Sequence, residues 1–341
     1  MKPSSPTLRD VAHKAGVSAM TVSLALRNQS SIAASTRHRI QALAAEMGYR
    51  RDPVMARLMA QLPRSRRGHS PVLAYVTDHP EPLDQLGGQV DASSLRGAVQ
   101  RAYELGYHLE EFQLTGKMTA ARLCKILRGR GIEGVIIGPL RKAGTKLALD
   151  WHHFACIAIG YSLSDPHLNR VCNNQFQSML KAMRRLHGLG YRRVGLVMDR
   201  DNDRRVNHVW KAGYQVACSS MKWSRTLPPL IYDDAFESRF LTWYERRQPD
   251  VILGAIPGSW RDVLGLLRAR CDSASLHLWP GDTDISGINQ NWQRLGAVAV
   301  DLLIAGIHTG QFGIPDYPIT TEGEGFWVDG TTTRKAKPIA P

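Results

Sequence analysis

Along the first seventy residues, apolar positions recur at spacings of three and four, the period of an amphipathic helix, in three short runs. Leu8, Val11, Ala12 and Ala15 fall on one face of a helix that opens at Thr7-Leu8-Arg9-Asp10, the spacing of a capping box. Gly16 follows and allows a tight turn, after which Ser18 is a suitable N-cap for a second helix with Val22, Ala25 and Leu26 inward. Two short helices joined by about four residues form a helix-turn-helix. A third helix is predicted from Ser35 or Thr36 to Met47, with Ile40, Leu43, Ala44 and Met47 inward and Gly48 as its stop. A short fourth helix is expected over about 52–60, with Pro53 near its start.

From Pro71 the pattern changes. Short apolar runs at 72–76, 134–138 and 155–160 alternate with helical stretches at 94–105 and 120–127. The alternation then restarts, with helices at 175–189, 207–218 and 235–246 between strands at 193–198, 230–232 and 250–256. Strand and helix in turn imply parallel sheets covered on both faces, and two such half-units imply two lobes with a cleft between them. The expected organisation is a head over 1–62, a basic linker over 63–70 and a body over 71–334. Its first lobe takes about 71–170 and 291–318, and its second about 171–288 and 319–334.

Charge sharpens this division. The chain of 341 residues carries a formal +14, and residues 1–70 hold twelve Lys or Arg against three Asp or Glu, a net +9. A basic head on a nearly balanced body suits a module that meets phosphates. Five widely spaced cysteines without C-x-x-C pairs suggest neither a disulfide framework nor a zinc site. No apolar run is long enough to span a bilayer and none near the N-terminus suits a signal peptide, so no membrane role and a cytoplasmic location are expected.

Thr7-Leu8-Arg9-Asp10-Val11-Ala12, Ala15-Gly16-Val17-Ser18, Thr21-Val22-Ser23, Thr36-Arg37 and Gly48-Tyr49 stand in an order that resembles the DNA-binding head of the LacI/GalR family of bacterial repressors. Shorter motifs continue the resemblance into the body: Gly190-Tyr191-Arg192-Arg193-Val194, Gly213-Tyr214, Pro249-Asp250, Leu295-Gly296 and Ala299-Val300-Asp301-Leu302-Leu303. The resemblance implies an all-α helix-turn-helix head and an α/β two-lobed body like that of periplasmic binding proteins, with parallel sheets. It also implies a homodimer on double-stranded operator DNA and a small-molecule effector, such as a carbohydrate, held between the lobes. A repressor is the reading it favours, although repression, activation, induction and corepression all remain open at this level.

On this geometry the second helix offers Ala19, Met20, Ser23 and Leu24 to the major groove. Three of the four cannot hydrogen-bond a base edge, so readout is expected to lean on thymine methyl groups and DNA shape. Thr7, Leu8, Ser18, Thr21, Arg27 and Thr36 are the phosphate-contact candidates, and Met55 and Leu58 the minor-groove wedge. Ligands of open α/β lobes bind outside the carboxyl ends of the strands. That rule selects Thr77, Asp78, Gly160, Tyr161, Asn207, Trp210, Trp260, Asp282, Gln290 and Trp292 as effector candidates. Asn173 stands where relatives commonly have Asp, and Trp210 where many have Arg.

Catalytic signatures are poor. No G-x-G-x-x-G follows a strand, and neither a phosphate-binding G-x-x-x-x-G-K-[ST] nor G-x-S-x-G occurs. His152 and His153 are adjacent, and neighbours on a helix or strand do not face one point, so no metal is expected. No cofactor and no enzyme activity are therefore expected. Two rivals remain: an α/β enzyme with a fused head, and an architectural DNA protein whose body serves assembly.

Overall fold

The computed structural model of the chain describes residues 6–26, 32–49, 70–83, 90–116, 118–223, 225–233, 235–255, 265 and 271–334. The expected helix over 52–60, Arg27, Met55, Leu58 and Trp260 lie outside these residues, as does the linker apart from Ser70.

The head consists of α1 (Leu8–Ala15), α2 (Ala19–Leu26) and α3 (Ala34–Glu46). Thr7 and Asp10 cap α1 reciprocally. The Thr7 hydroxyl accepts from the Asp10 amide at 3.4 Å, and the Asp10 carboxylate accepts from the Thr7 amide at 2.7 Å. Gly16, at φ 67°, takes the left-handed turn that ends α1, and the Val17 amide returns to the Ala12 carbonyl at 3.1 Å. Ser18 Oγ then accepts from the Thr21 amide at 3.1 Å and starts α2. Val11, Val22, Ala25 and Ile40 are fully buried where the three helices meet. Two side chains of α3 serve the carbonyls that α1 and α2 leave without helical partners: Arg39 donates to Ala15 at 3.2 Å and Gln41 to Ala25 at 3.0 Å. Helix α3 starts before Ser35, behind an Ala33 N-cap that makes no side-chain bond.

The first lobe contains β1 (Val72–Thr77), α4 (Val90–Glu104), β2 (His108–Gln113), α5 (Ala120–Gly129), β3 (Gly134–Ile137), a short pairing of β4 (Thr145–Lys146) with β6 (Leu163–Asp165), β5 (Ala155–Ile159) and β7 (Arg170–Asn173). The second contains α6 (Gln175–Gly188), β8 (Val194–Asp199), α7 (Arg200–Arg205), α8 (Val209–Ser220), β9 (Leu230–Tyr232), α9 (Phe236–Arg247), β10 (Val251–Ala255), β11 (Asp272–Ser275) and β12 (Gly287–Asn289). The chain then returns to the first lobe through α10 (Trp292–Thr309) and β13 (Thr320–Gly323), and ends in the second with β14 (Phe326–Val328). The two six-stranded sheets run β13-β7-β5-β3-β1-β2 and β14-β12-β11-β10-β8-β9, parallel except for β14 against β12. Buried apolar clusters cover both faces of each sheet.

Two boundaries correct the sequence expectation. Thr320–Gly323, expected in the second lobe, pairs with Arg170–Asn173 in the first sheet, so the last crossing falls between Gly323 and Phe326. The helix expected from Asn207 starts at Val209, because Asn207 and His208 take left-handed backbone at φ 52° and 61° to turn the chain out of α7.

Helices α4 and α10 lie together on one face of the first sheet, and two glycines set how closely they approach. A Cβ at Gly97 would stand 1.8 Å from the Gln293 carbonyl oxygen, and one at Gly296 would stand 1.9 Å from that of Ser94. Backbone cannot yield as a side chain end can, so Gly97→Ala and Gly296→Ala are each expected to destabilise the body by about 1–3 kcal/mol. Chemical denaturation of the full chain, followed by tryptophan fluorescence, checks this against Gly129→Ala, a control at the end of α5 where the added Cβ meets nothing.

Candidate ligand cleft and nucleic-acid interface

Both sheets aim their carboxyl ends at one another, and the space between them is a cavity of about 430 Å³. That size suits a small organic molecule. The first lobe contributes the loops after β3 and β5 and the end of β7: Pro139, Arg141, Gly160, Tyr161, Ser162, Cys172 and Asn173. The second contributes Gln175 from the first turn of α6, Asp199, Asp201, Asn202 and Arg205 from the end of β8 and α7, Trp210 from α8, and His277 and Trp279 beyond β11. Trp292 enters from the start of α10.

The wall is aromatic. His277 lies 5.2 Å from Trp279 and 6.0 Å from Trp292 between ring centroids, both tilted. Tyr161 carries the Arg170 guanidinium 5.1 Å from its ring centre, and Arg170 donates to the Gly160 carbonyl at 3.0 Å, which fixes that loop. The wall is also rich in polar atoms that nothing in the described chain satisfies: Asn173 Oδ1, Gln175 Oε1, Trp210 Nε1, His277 Nε2 and Trp292 Nε1. Desolvation among its neighbours, aided by the nearby Arg205 charge, lowers the His277 pKa to about 4, so the ring is neutral near pH 7. Asp199 caps α7, accepting from the Asn202 amide at 2.9 Å, and burial raises its carboxyl above the usual carboxylate range.

One residue ties the lobes directly across the cavity. Arg205 of the second lobe donates to the carbonyls of Leu140 and Arg141 of the first, each at 2.7 Å. Asp78 sets the position of Arg141 from below, accepting its amide at 2.8 Å.

The structure brings some of the sequence candidates together and disperses others. Gly160, Tyr161, Trp210 and Trp292 line the cavity. Thr77 is buried and accepts from the His79 amide at 3.2 Å, while Asp282 accepts from the Trp279 amide at 2.9 Å, so each steadies a neighbour of the cavity. Gln290 sits behind the wall, with its side chain donating to the Leu276 carbonyl at 2.6 Å. Asn207 is exposed in the turn before α8 and is not among the residues that line the cavity. Sequence reasoning missed Arg205, His277 and Trp279, because α7 is short and charged and β11 reads Asp-Ser-Ala-Ser, with no apolar run to mark a strand. The adjacent pair His152-His153 also departs from expectation: in a 3-10 turn both imidazoles reach Asp150.

In the head, Met20 is 66% exposed on α2, while Ala19, Ser23 and Leu24 are half-buried beside it. The hydroxyls of Ser18 and Thr21 lie 2.9 Å apart at the start of α2, and Thr7 spends its hydroxyl on Asp10 at 2.7 Å. Leu8 opens α1 and Thr36 is half-buried in the first turn of α3.

Comparison with known proteins agrees with this layout. Residues 7–52 match the family model described as bacterial regulatory proteins, lacI family. Over 241 residues the chain is 24% identical to the HTH-type transcriptional regulator TreR of Escherichia coli (strain K12), covering 68% of this chain and 70% of that one. Among solved structures, the lac repressor dimer bound to operator and the anti-inducer ONPF superposes with a TM-score of 0.54 at 19% identity, covering 97% of this chain and 99% of that chain. The complex of transcriptional regulator CelR with cellobiose gives 0.54 at 18%, covering 96% and 99%.

Two measurements follow from the cleft geometry. Arg205→Met keeps the apolar stem and removes both inter-lobe hydrogen bonds, which is expected to favour the open arrangement by about 2 kcal/mol, roughly thirty-fold in population. Energy transfer between dyes on the two lobes reads this. A histidine held neutral takes up its proton only on unfolding, so stability present above the ordinary pKa of about 6.5 is lost as pH falls toward 4. Discounted for the partial exposure of His277, that loss is about 2 kcal/mol, and the total stability lost over this window is expected to be smaller by that amount in His277→Gln.

Proposed function

This chain belongs to the LacI/GalR family of bacterial transcriptional regulators, and we propose that it is an operator-specific repressor whose hold on DNA is set by a carbohydrate bound between its lobes. The family is one of non-catalytic DNA-binding regulators. The five unsatisfied polar atoms around one cavity carry the ligand half of the proposal. Each buried group left without a partner costs about 1–3 kcal/mol, and a cluster of them in one place is relieved together by one molecule. The indole N–H groups of Trp210 and Trp292 require acceptors, whereas the carbonyl oxygens of Asn173 and Gln175 require donors. A hydroxyl is both. A polyhydroxylated ring satisfies the set and lays its apolar face on Trp279, Trp292 or Tyr161. The carbohydrate named with the CelR structure supports the same reading.

On DNA, two copies set two heads on half-sites about one helical turn apart. Helix α2 lies in the major groove with Ala19, Met20, Ser23 and Leu24 toward the bases. Thr7, the Leu8 amide, Ser18, Thr21, Arg27 and Thr36 hold phosphates, and Met55 and Leu58 wedge the minor groove at the centre. The protruding Met20 favours contact with thymine methyl groups. A ligand that binds one lobe arrangement better than the other then shifts operator affinity by that difference.

Selection of duplexes from a random pool by the full-length protein tests the DNA half. The expected outcome is a pseudo-palindrome bound about a thousand-fold or more above random duplex, weakened several-fold when its core thymines become uracil. Preference below about ten-fold overturns the reading in favour of an architectural protein. Thermal-shift screening of mono- and disaccharides tests the ligand half. Trp210→Phe and Trp292→Phe, which keep a ring but lose the N–H, are each expected to weaken the best carbohydrate about ten-fold. No shift with any carbohydrate refutes this half and leaves the DNA half standing.

A further inference from the structure

We infer that Asp150, His152 and His153 form a surface binding site for a divalent transition-metal ion, zinc by its chemistry, at the end of the first lobe opposite the cleft. The three residues occupy and flank the 3-10 turn Trp151–His153 that leads into β5. His152 Nδ1 lies 2.7 Å from one oxygen of the Asp150 carboxylate, and His153 Nε2 lies 3.2 Å from the other. One donor atom from each residue falls within 4.8 Å of the other two. Ligand atoms bound at about 2.0–2.1 Å in a tetrahedron stand roughly 3.3 Å apart, so small side-chain rotations around one central point suffice.

Two imidazoles and a carboxylate suit zinc, with water in the fourth position. Neutral imidazole carries one proton on either ring nitrogen. In the empty site the nitrogens facing Asp150 hold those protons and donate them to the carboxylate. With an ion present the protons move to the outer nitrogens, and the inner lone pairs face the metal, so binding releases no proton from the neutral rings. The Asp150 charge offsets half that of the ion.

The turn is held before any ion arrives. Trp151 and Phe154, on either side of the histidines, are buried in the first-lobe core, and the Asp150 amide donates to Cys124 Sγ at 3.2 Å. The Gly313 amide donates to the Phe154 carbonyl at 2.9 Å. The imidazole rings lie with centroids 3.9 Å apart. Arg128 is the neighbouring cation, with its guanidinium 3.6 Å from Asp150, but it is largely exposed on a flexible stem and can swing into solvent.

Topology gives the site its place. Ala155 at the start of β5 pairs with Gly134 of β3, which pairs with Leu73 of β1. Two strand spacings, about 10 Å, therefore separate the start of β5 from the start of β1, where the chain arrives from the head. An ion here sits on the head side of the first lobe, away from the effector.

Zinc titration of the full-length protein against a chromogenic chelator tests the inference, with cobalt absorption as the second readout. The wild type is expected to bind one zinc ion per chain and to give cobalt the intense visible bands of a tetrahedral N/O site. His152→Ala at an exposed position and His153→Ala at a half-buried one, together, are expected to weaken this binding at least a hundred-fold and abolish the bands, while the exposed His152→Ala alone weakens it at least ten-fold with the unfolding midpoint of the metal-free protein unchanged. Asp150→Asn keeps the shape and loses the charge, and is expected to weaken binding about ten-fold. Equal zinc affinity and equal cobalt spectra in the wild type and the double variant overturn the proposal, as does the absence of stoichiometric binding in the wild type.

Discussion

The cleft depends on three chain crossings being held at one place. The lobes are joined where β7 passes into α6, where β12 passes into α10 and where β13 passes into β14. The buried side-chain amide of Asn173 donates to the Gln290 carbonyl, tying the first crossing to the second. The Asn174 amide donates to the Gly323 carbonyl at 2.7 Å, tying the first to the third. Glycine permits the third to lie so close, for a Cβ at Gly325 would stand 2.7 Å from Ile288 and 3.0 Å from the Asn289 carbonyl. With the crossings tied together, both lobes meet at one hinge region beside the cleft. An amide rather than a carboxylate at Asn173 then has a physical meaning. A carboxylate cannot donate to a carbonyl, so the amide serves the crossing with its nitrogen and leaves only its oxygen for the cavity.

The head was the most legible part of the chain because each of its features is local. A capping box, a left-handed glycine and a serine N-cap act within four residues, and all three appear where the spacing of Thr7, Asp10, Gly16 and Ser18 requires them. The body was legible where strands are apolar, as at β1, β3 and β5, and illegible where burial is achieved by small or polar residues. Strand β11 is buried yet consists of Asp272, Ser273, Ala274 and Ser275, because its neighbour approaches closely enough that a Cβ on Gly287 would stand 2.3 Å from the Ser275 carbonyl. Without that strand, nothing in the sequence places His277 and Trp279 at a carboxyl end. The same lack of local signal hid β13, a polar edge strand whose partner β7 lies about 150 residues earlier.

The rule that ligands lie beyond carboxyl strand ends pointed to the region of the cavity and chose its lining residues unevenly. It favoured Thr77, Asp78 and Asn207, which sit at strand or helix ends in sequence but point into turns or support other loops. Tyr161, Trp210 and Trp292 do line the cavity, Trp210 while packed into the second-lobe core and Trp292 from the first turn of α10. The hydrogen bonds that shape the cavity, such as Arg205 to Leu140, join residues 65 apart in the chain and belong to no local pattern.

The two ends of the first lobe face different tasks, and its packing constrains how they communicate. The cleft lies beyond the carboxyl ends of its strands, and the chain from the head enters at their amino ends. Between the two stands a sheet whose strands β1, β3 and β5 are almost wholly buried and covered on both faces. Such an interior is close-packed and hardly compressible, so a displacement at one end carries the whole sheet with it instead of deforming it strand by strand. On the proposed function, the second lobe is the part that turns about the crossings, with Arg205 making or losing its hold on Leu140 and Arg141. On the proposed function, a bound ligand is therefore felt at the DNA as a rigid-body rotation between lobes, transmitted through the pairing of two bodies, and the first lobe moves as one piece with whatever is attached to its amino end.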